Sequence, residues 1–326
     1  MTYFAPLIAA LVTFLATAIL LSVKTSQRIQ DIPNERSLHT EPVPRIGGVA
    51  LMAGVLSGWL LMFTSLVWWV ILPVIALFAV SLLDDVRGLP VRQRLLVHIV
   101  ASAILVAGSG MVTQNAMLAL IVLLGAVWMT NLYNFMDGSD GMAGGMTFFG
   151  FTMYGTVALI HGDETQAMLN FSIGTSALGF LYYNFYPARV FMGDAGSIPL
   201  GFLAAAMGLW GWRQGHWPEW FPLLVFSPFV VDASVTLLKR LLCRKKIWMA
   251  HREHYYQRLV QIGWGHRNVA LLAYALMLAV GISAIFGIRQ PNAVPWGLFL
   301  IWSGIYTLLM LSLDWRWKIF QREQHA

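Results

Sequence analysis

The stretch GGVALMAGVLSGWLLMFTSLVWWVILPVIALFAVSLLDD, residues 47–85, decides the fold class. It holds no charged side chain before its last two residues, Asp84 and Asp85. About 20 mostly apolar residues suffice to span a hydrocarbon core. The 35 residues from Gly47 to Ser81 are too many for one span, even a tilted one, so the run divides near Thr64-Ser65. The whole chain has the same character. Of its 326 residues 58% are apolar and 11% charged, against roughly 25% charged in a soluble globular domain. That composition excludes a disordered chain, a coiled coil and an ordinary cytosolic enzyme. Cys243 is the single cysteine, so no intramolecular disulfide forms and a cysteine-based metal site is implausible.

Reading outward for runs of similar length yields eleven candidate spans, roughly 3–23, 47–65, 66–83, 95–112, 116–134, 142–160, 167–186, 197–212, 221–242, 269–288 and 295–313. The expectation is an all-α polytopic membrane protein of about eleven transmembrane helices, a single domain over 1–326. The first run has no positive charge ahead of it and Lys24 behind it, the reverse of a cleavable signal. An uncleaved first helix then leaves the N-terminus periplasmic, and alternation leaves the C-terminus cytoplasmic. Of the 21 Lys and Arg, all but Arg213 and Arg289 fall on inner segments, nineteen against two. This is the positive-inside bias, so the net charge of +6 reports orientation rather than nucleic-acid binding. Trp68, Trp69, Trp212, Trp217, Trp220 and Trp296 gather at the outer interface as an aromatic belt.

The same topology sends the polar clusters to the inner side. Asp84-Asp85 repel one another unless a cation or proton intervenes; alternatively they are a solvated helix end. Asn131, Asn134, Asp137 and Asp140 recur every third residue, which on a helix forms one drifting stripe. Oxygen donors of this kind suit a hard cation such as Mg²⁺, or else mark a polar reverse turn. A calcium loop and a P-loop are both excluded by their missing residues. In Phe191 to Ser197, either Asp194 or Ser197 serves as an N-cap, and free amides there attract phosphate. His251 and His254 at i and i+3 share a helical face with Arg258, an anion site near Lys245 and Lys246, unless the segment is only a basic loop. Asp232, deep in the ninth span, is a functional candidate or a partner of Lys239. His98 reads as a packed helix polar residue; His161 and His216 carry no signal.

Six stretches, DIPNERSLHTEPVPRIGG (31–48), SLLDDVRGLPVR (81–92), NLYNFMDGSDGMAGG (131–145), FMGDAGS (191–197), VDASVTLLKR (231–240) and HREHYYQRLVQIGW (251–264), together resemble one family. The chain is similar to the polyprenyl-phosphate N-acetylhexosamine-1-phosphate transferases of glycosyltransferase family 4. The PxPRxGG and HREH forms resemble its WecA/WbpL-like branch. The resemblance implies a cytoplasmic-face active site in the bacterial inner membrane. The reaction it implies is transfer of N-acetylhexosamine 1-phosphate from a UDP-N-acetylhexosamine to undecaprenyl phosphate, with release of UMP and Mg²⁺ or Mn²⁺ required. It implies Asp194, with Asp85, as metal ligands, and Asp84 and Asp85 handling the lipid phosphate. Asn131, Asn134, Asp137 and Asp140 would lie on the nucleotide side, with Phe191 near the uracil and Gly193 beside it. His251, His254, Arg258 and Arg45 would contact phosphates. Partners are the two substrates and the bilayer, with a homodimer left open. The phospho-N-acetylmuramoyl-pentapeptide transferases are the narrower alternative, and a transporter or flippase the different class. A transporter should show mid-membrane polar residues on paired repeats, which this chain lacks apart from Asp232.

Overall fold

The computed structural model describes residues 2–23, 29–33, 37–246, 249, 251–290 and 293–325, in helices joined by short loops and one small antiparallel ribbon. In chain order these are α1 (Ala5–Ser22), β1 (Gln30–Asp31), β2 (Val43–Pro44), α2 (Gly47–Leu60), α3 (Trp68–Arg87), α4 (Val91–Gly108) and α5 (Met111–Gln114). There follow α6 (Ala116–Phe135), α7 (Met142–Ile160), α8 (Glu164–Asn184), α9 (Asp194–Arg213), α10 (Trp220–Val225), α11 (Ser227–Leu242), α12 (Tyr255–Leu259), α13 (Gly265–Ile288) and α14 (Ala293–His325). Lys24, Arg28 and Arg36, three of the basic residues used to orient the chain, lie outside the described residues.

The protein is an all-α multi-pass membrane protein. Among the described residues, eight helical segments are long and apolar enough to cross a bilayer. The other expected spans are helical but fall short by that measure. Helix α2 has 14 residues and is walled in by α1, α8 and α9. Helix α8 is long enough but carries buried Gln166, Asn170, Ser172 and Ser176. The expected span 221–242 is two helices, since the chain breaks at Phe226 and restarts with Pro228 in the first turn of α11; proline is favoured there because its missing N–H would be unsatisfied anyway. The division between α2 and α3 falls at Leu61–Val67, with a single 3₁₀ turn over Phe63–Ser65.

Helix α9 is the axis of the bundle. It packs on α2, α3, α6 and α7, and nearly all of its length is buried. Small side chains allow this: a Cβ placed on Gly48 of α2 would lie 2.2 Å from the Gly196 nitrogen of α9, so the two backbones touch. Two further contacts pin this end of α9. Gly47 and Gly48 amides donate to the Phe191 and Met192 carbonyls at 2.9 and 2.8 Å. Gly193 then turns the chain into the helix at φ 72°, a left-handed value that glycine adopts without strain.

The aromatic belt needs one correction. Trp68 and Trp296 are exposed, but Trp217 is buried, stacked on Tyr154 at 4.9 Å with its indole N–H donating to the Gly208 carbonyl. A buried indole needs an acceptor, and the Gly208 carbonyl supplies one.

Candidate active site

The start of α9 gathers the charged residues. The Asp85 carboxylate accepts from the amides of Asp194 at 3.2 Å and Ala195 at 2.8 Å, and from Arg45 Nη2 at 2.8 Å. A carboxylate from α3 therefore caps α9, where unpaired N–H groups and the helix dipole favour negative charge. Neither Asp194 nor Ser197 caps its own helix, because Asp85 already occupies the position. A Cβ on Gly193 would sit 3.0 Å from Asp85 Oδ2, so only glycine fits beside the cap.

Asp194 is left to face outward. Its Oδ1 accepts from Asn134 Nδ2 at 2.8 Å, its Oδ2 from Arg94 Nη1 at 3.0 Å, and Arg45 lies 3.7 Å away. Arg94 also holds Asp84 at 2.7 Å. The expected stripe from Asn131 to Asp140 is not one helix: α6 ends at Phe135, and Asp137 and Asp140 lie in the following turn. That turn separates their roles. Asn131 Oδ1 lies 3.2 Å from His98 Nδ1. Asp140 accepts from the Ala188 amide at 3.0 Å and sits 3.5 Å from His266. The Asp137 side chain has no hydrogen-bond or ion-pair partner among the described residues. Removal from water, then the nearby Asp194 carboxylate, pushes its carboxyl well above the usual range against the pull of Arg45.

Two cavities share this wall. One of about 330 Å³ is polar, lined by Arg45, Asn134, Asp137, Asp140, Phe191, Gly193, Asp194, His39 and His266. Phe191 meets the His39 ring edge-on at 4.9 Å. The other, about 690 Å³, is an apolar groove along α3, α4, α6 and α11, lined by Leu77, Leu95, Leu124, Trp128 and Leu237. Its polar end carries Arg94, Asn131, Asn134, Asp194, His251 and His254. Asp194 and Asn134 line both.

Residues 251–254 are not helical, so His251, His254 and Arg258 do not share a helical face. The two imidazoles instead stack at 4.9 Å. His254 is buried, with Nδ1 3.2 Å from Asp232 Oδ1. Asp232 also accepts from the Tyr255 and Tyr256 amides, each at 3.0 Å, and so caps α12. Lys239, its expected partner, turns to Tyr255 and Asp314 instead. Burial and the adjacent His254 lower the His251 ring to about 4, so at neutral pH it is uncharged. Arg258 is held by Asp314 of α14 at 3.0 Å and stacks on Tyr255 and Trp317.

A divalent metal fits this donor set within limits. Among the described residues no three Asp, Glu, His or Cys side chains converge as ligands, and both Asp85 oxygens are taken by α9 and Arg45. Asp194, whose oxygens are held by the side chains of Asn134 and Arg94 rather than by a helix backbone, and Asp137, whose carboxylate is unpartnered, are then the available carboxylates, which suits Mg²⁺, commonly bound by one or two carboxylates plus substrate phosphates. Arg94, His39, His266 and Asp314 were not picked out as site residues from the sequence. Arg94 had one readable sign: it lies ten residues after Asp84 across the Gly88-Leu89-Pro90 turn, where two antiparallel helices face one another.

The family model described as glycosyl transferase family 4 matches residues 67–211, the stretch that holds Asp84, Asp85, Asn134, Asp137 and Asp194. Across that stretch the chain resembles glycosyl transferase family 4. The chain is 27% identical to a probable undecaprenyl-phosphate N-acetylglucosaminyl 1-phosphate transferase of Bacillus subtilis, over 94% of this chain and 90% of the relative. It is 27% identical to the decaprenyl-phosphate N-acetylglucosaminephosphotransferase of Mycobacterium tuberculosis, over 94% and 88%. A phospho-N-acetylmuramoyl-pentapeptide-transferase of Symbiobacterium thermophilum is 33% identical, over 57% of this chain and 60% of its own length.

Proposed function

We propose that this protein transfers N-acetylhexosamine 1-phosphate from a UDP-N-acetylhexosamine to undecaprenyl phosphate, releasing UMP. The product, undecaprenyl-diphospho-N-acetylhexosamine, starts a lipid-linked polysaccharide such as an O-antigen. One observation carries the reading: Asp194 and Asn134 form the common wall of a polar cavity and an apolar groove. A soluble sugar nucleotide suits the first and a polyprenyl chain the second, so their phosphates meet at Asp194. Support also comes from the names of the relatives that align along most of the chain.

The chemistry follows from the neighbours. An oxygen of the lipid phosphate attacks the β-phosphorus of the donor, and the bond to the UMP oxygen breaks. Arg94, at the groove end between Asp84 and Asp194, orients the incoming lipid phosphate. Arg45 screens the donor diphosphate from the polar side, and neutral His251, whose Nδ1 accepts from the Glu253 amide, donates its Nε2–H to the lipid phosphate. Mg²⁺ or Mn²⁺ bound at Asp194 and Asp137 would screen the crowded phosphates. Direct attack is favoured because a lipid phosphate is largely ionised near pH 7 and needs little activation. Soluble sugar nucleotides are cytosolic, which places this end of the bundle at the cytoplasmic face of a bacterial inner membrane. The full topology is eleven spans with the N-terminus periplasmic.

The test is UMP release from a panel of UDP-N-acetylhexosamines, and from the muramyl-pentapeptide nucleotide, with undecaprenyl phosphate and Mg²⁺. Release should need both lipid phosphate and metal, and Asp194→Asn should abolish it. Turnover that survives Asp194→Asn, or label exchange from UMP into the donor without lipid phosphate, would sink the site assignment or the direct attack respectively.

A further inference from the structure

A third cavity, about 990 Å³, opens between the segment after α11 and the last turns of α14. It adjoins the apolar groove through Met249 and His251, which line both, but Asp194 does not line it. Its wall carries five cations, Arg240, Lys245, Lys246, Arg252 and Arg258, against the single carboxylate of Glu253. Glu253 is shared by Arg240 at 2.7 Å and Lys245 at 3.0 Å, and Arg258 is matched from behind by Asp314. Lys246 and Arg252 have no carboxylate partner among the described residues.

Two atoms add a second, independent sign. Arg240 is 7% exposed, and its Nε is buried with no hydrogen-bond acceptor; the Nε of Arg258 is in the same state. A buried donor left unsatisfied costs on the order of 1–3 kcal/mol, more for a charged group. Crowded cations are relieved by an anion with several acceptor oxygens, and guanidiniums without a full set of acceptors keep donor capacity for one. The cavity wall also includes Trp317 and Phe320, on a stretch of α14 where Trp315, Trp317 and Phe320 alternate with Arg316, Lys318 and Arg322. Aromatic rings mixed with cations are the composition of a segment at a membrane–water interface.

We propose that this cavity is a phosphate-recognising site distinct from the catalytic pair of cavities. It seats the phosphodiester of an acidic phospholipid or the phosphate of a soluble compound. Occupancy ties α14 to the segment bearing His251 and His254, so an anion at the membrane surface steadies the catalytic loop. The inference does not depend on which donor the enzyme uses.

The experiment is thermal unfolding of the purified, delipidated full chain in neutral detergent. Phosphatidylglycerol, phosphatidylcholine or inorganic phosphate is added, with and without saturating UMP. Phosphatidylglycerol is expected to raise the melting temperature by about 3 °C or more over phosphatidylcholine. The shift should persist with UMP present, vanish in Lys246→Gln/Arg252→Gln and return in Lys246→Arg/Arg252→Lys. An equal shift from inorganic phosphate, also lost in the double Gln variant, assigns the same site to a soluble phosphate. No shift from either anion, an equal shift in the double Gln variant, or loss of the shift with UMP overturns the proposal. The readout is stability, not turnover, so a failed donor panel leaves it interpretable.

Discussion

Asp85 and Asp137 lie close to Asp194 but differ in what holds them. Asp85 is saturated, with two α9 amides and Arg45 on its oxygens. The Asp137 side chain faces the cavity with no partner among the described residues, and its burial beside Asp194 disfavours its ionised form. Asp85→Ala should therefore lower thermal stability by the value of a lost cap, about 0.5–2 kcal/mol. Asp137→Asn should be at least as stable as wild type at neutral pH. A carboxyl whose folded value is raised subtracts stability once pH exceeds its unfolded value, and Asn removes that cost. Its turnover should nevertheless fall by a factor of about a hundred or more. Melting curves and initial rates on both variants check the contrast, and a strongly destabilised Asp137→Asn would contradict it. His251 makes a second prediction. Its folded value of about 4 lies below the ordinary 6.5, so between those pH values the unfolded chain takes up a proton that the folded one refuses. Stability should fall as pH drops from about 6.5 to about 4, and His251→Asn should flatten that part of the pH–stability curve.

Among the elements, α9 and α14 decide where the reactive side chains stand. Helix α9 is placed by its backbone contact with α2. Gly48→Ala forces a methyl against the Gly196 backbone, which has no flexible side chain to move aside. The expected cost is about 1–3 kcal/mol, with loss of turnover because Asp194 and its Asp85 cap shift with the helix; melting temperature and initial rate measure both. Helix α14 acts through Asp314, which binds Lys239, Tyr255 and Arg258 together. Asp314→Asn should cost about 1.5–3 kcal/mol and speed proteolysis in the segment after α11. Unchanged proteolysis would show that α14 does not hold the histidine segment. At 33 residues α14 is about 50 Å long, against about 30 Å of hydrocarbon, so its charged end projects far enough to do so.

At the scale of the molecule, one end of the bundle collects the carboxylates and histidines of the site from loops far apart in the chain. If that end is cytoplasmic, exposed Cys243 beside it reports the orientation directly. A membrane-impermeant maleimide should label it in inverted vesicles and not in intact spheroplasts, and the opposite pattern would reverse the topology.

The membrane class and most helix positions were legible in the chain, and Asp84, Asp85, Asn134, Asp137, Asp194 and the two histidines stood out in it as candidates. Long apolar runs have few alternatives in a bilayer, and carboxylates are conspicuous where only 11% of residues are charged. Their roles were not legible. Asp85 as cap and Asp137 as open carboxylate depend on which N–H groups approach them, and those belong to helices over a hundred residues away or to none. The non-helical HREH segment, buried Trp217 and the Asp232–His254 pair arise in the same way. Periodicity reports the local preference of the backbone, whereas a buried polar group is governed by whichever partner the packed helices bring to it.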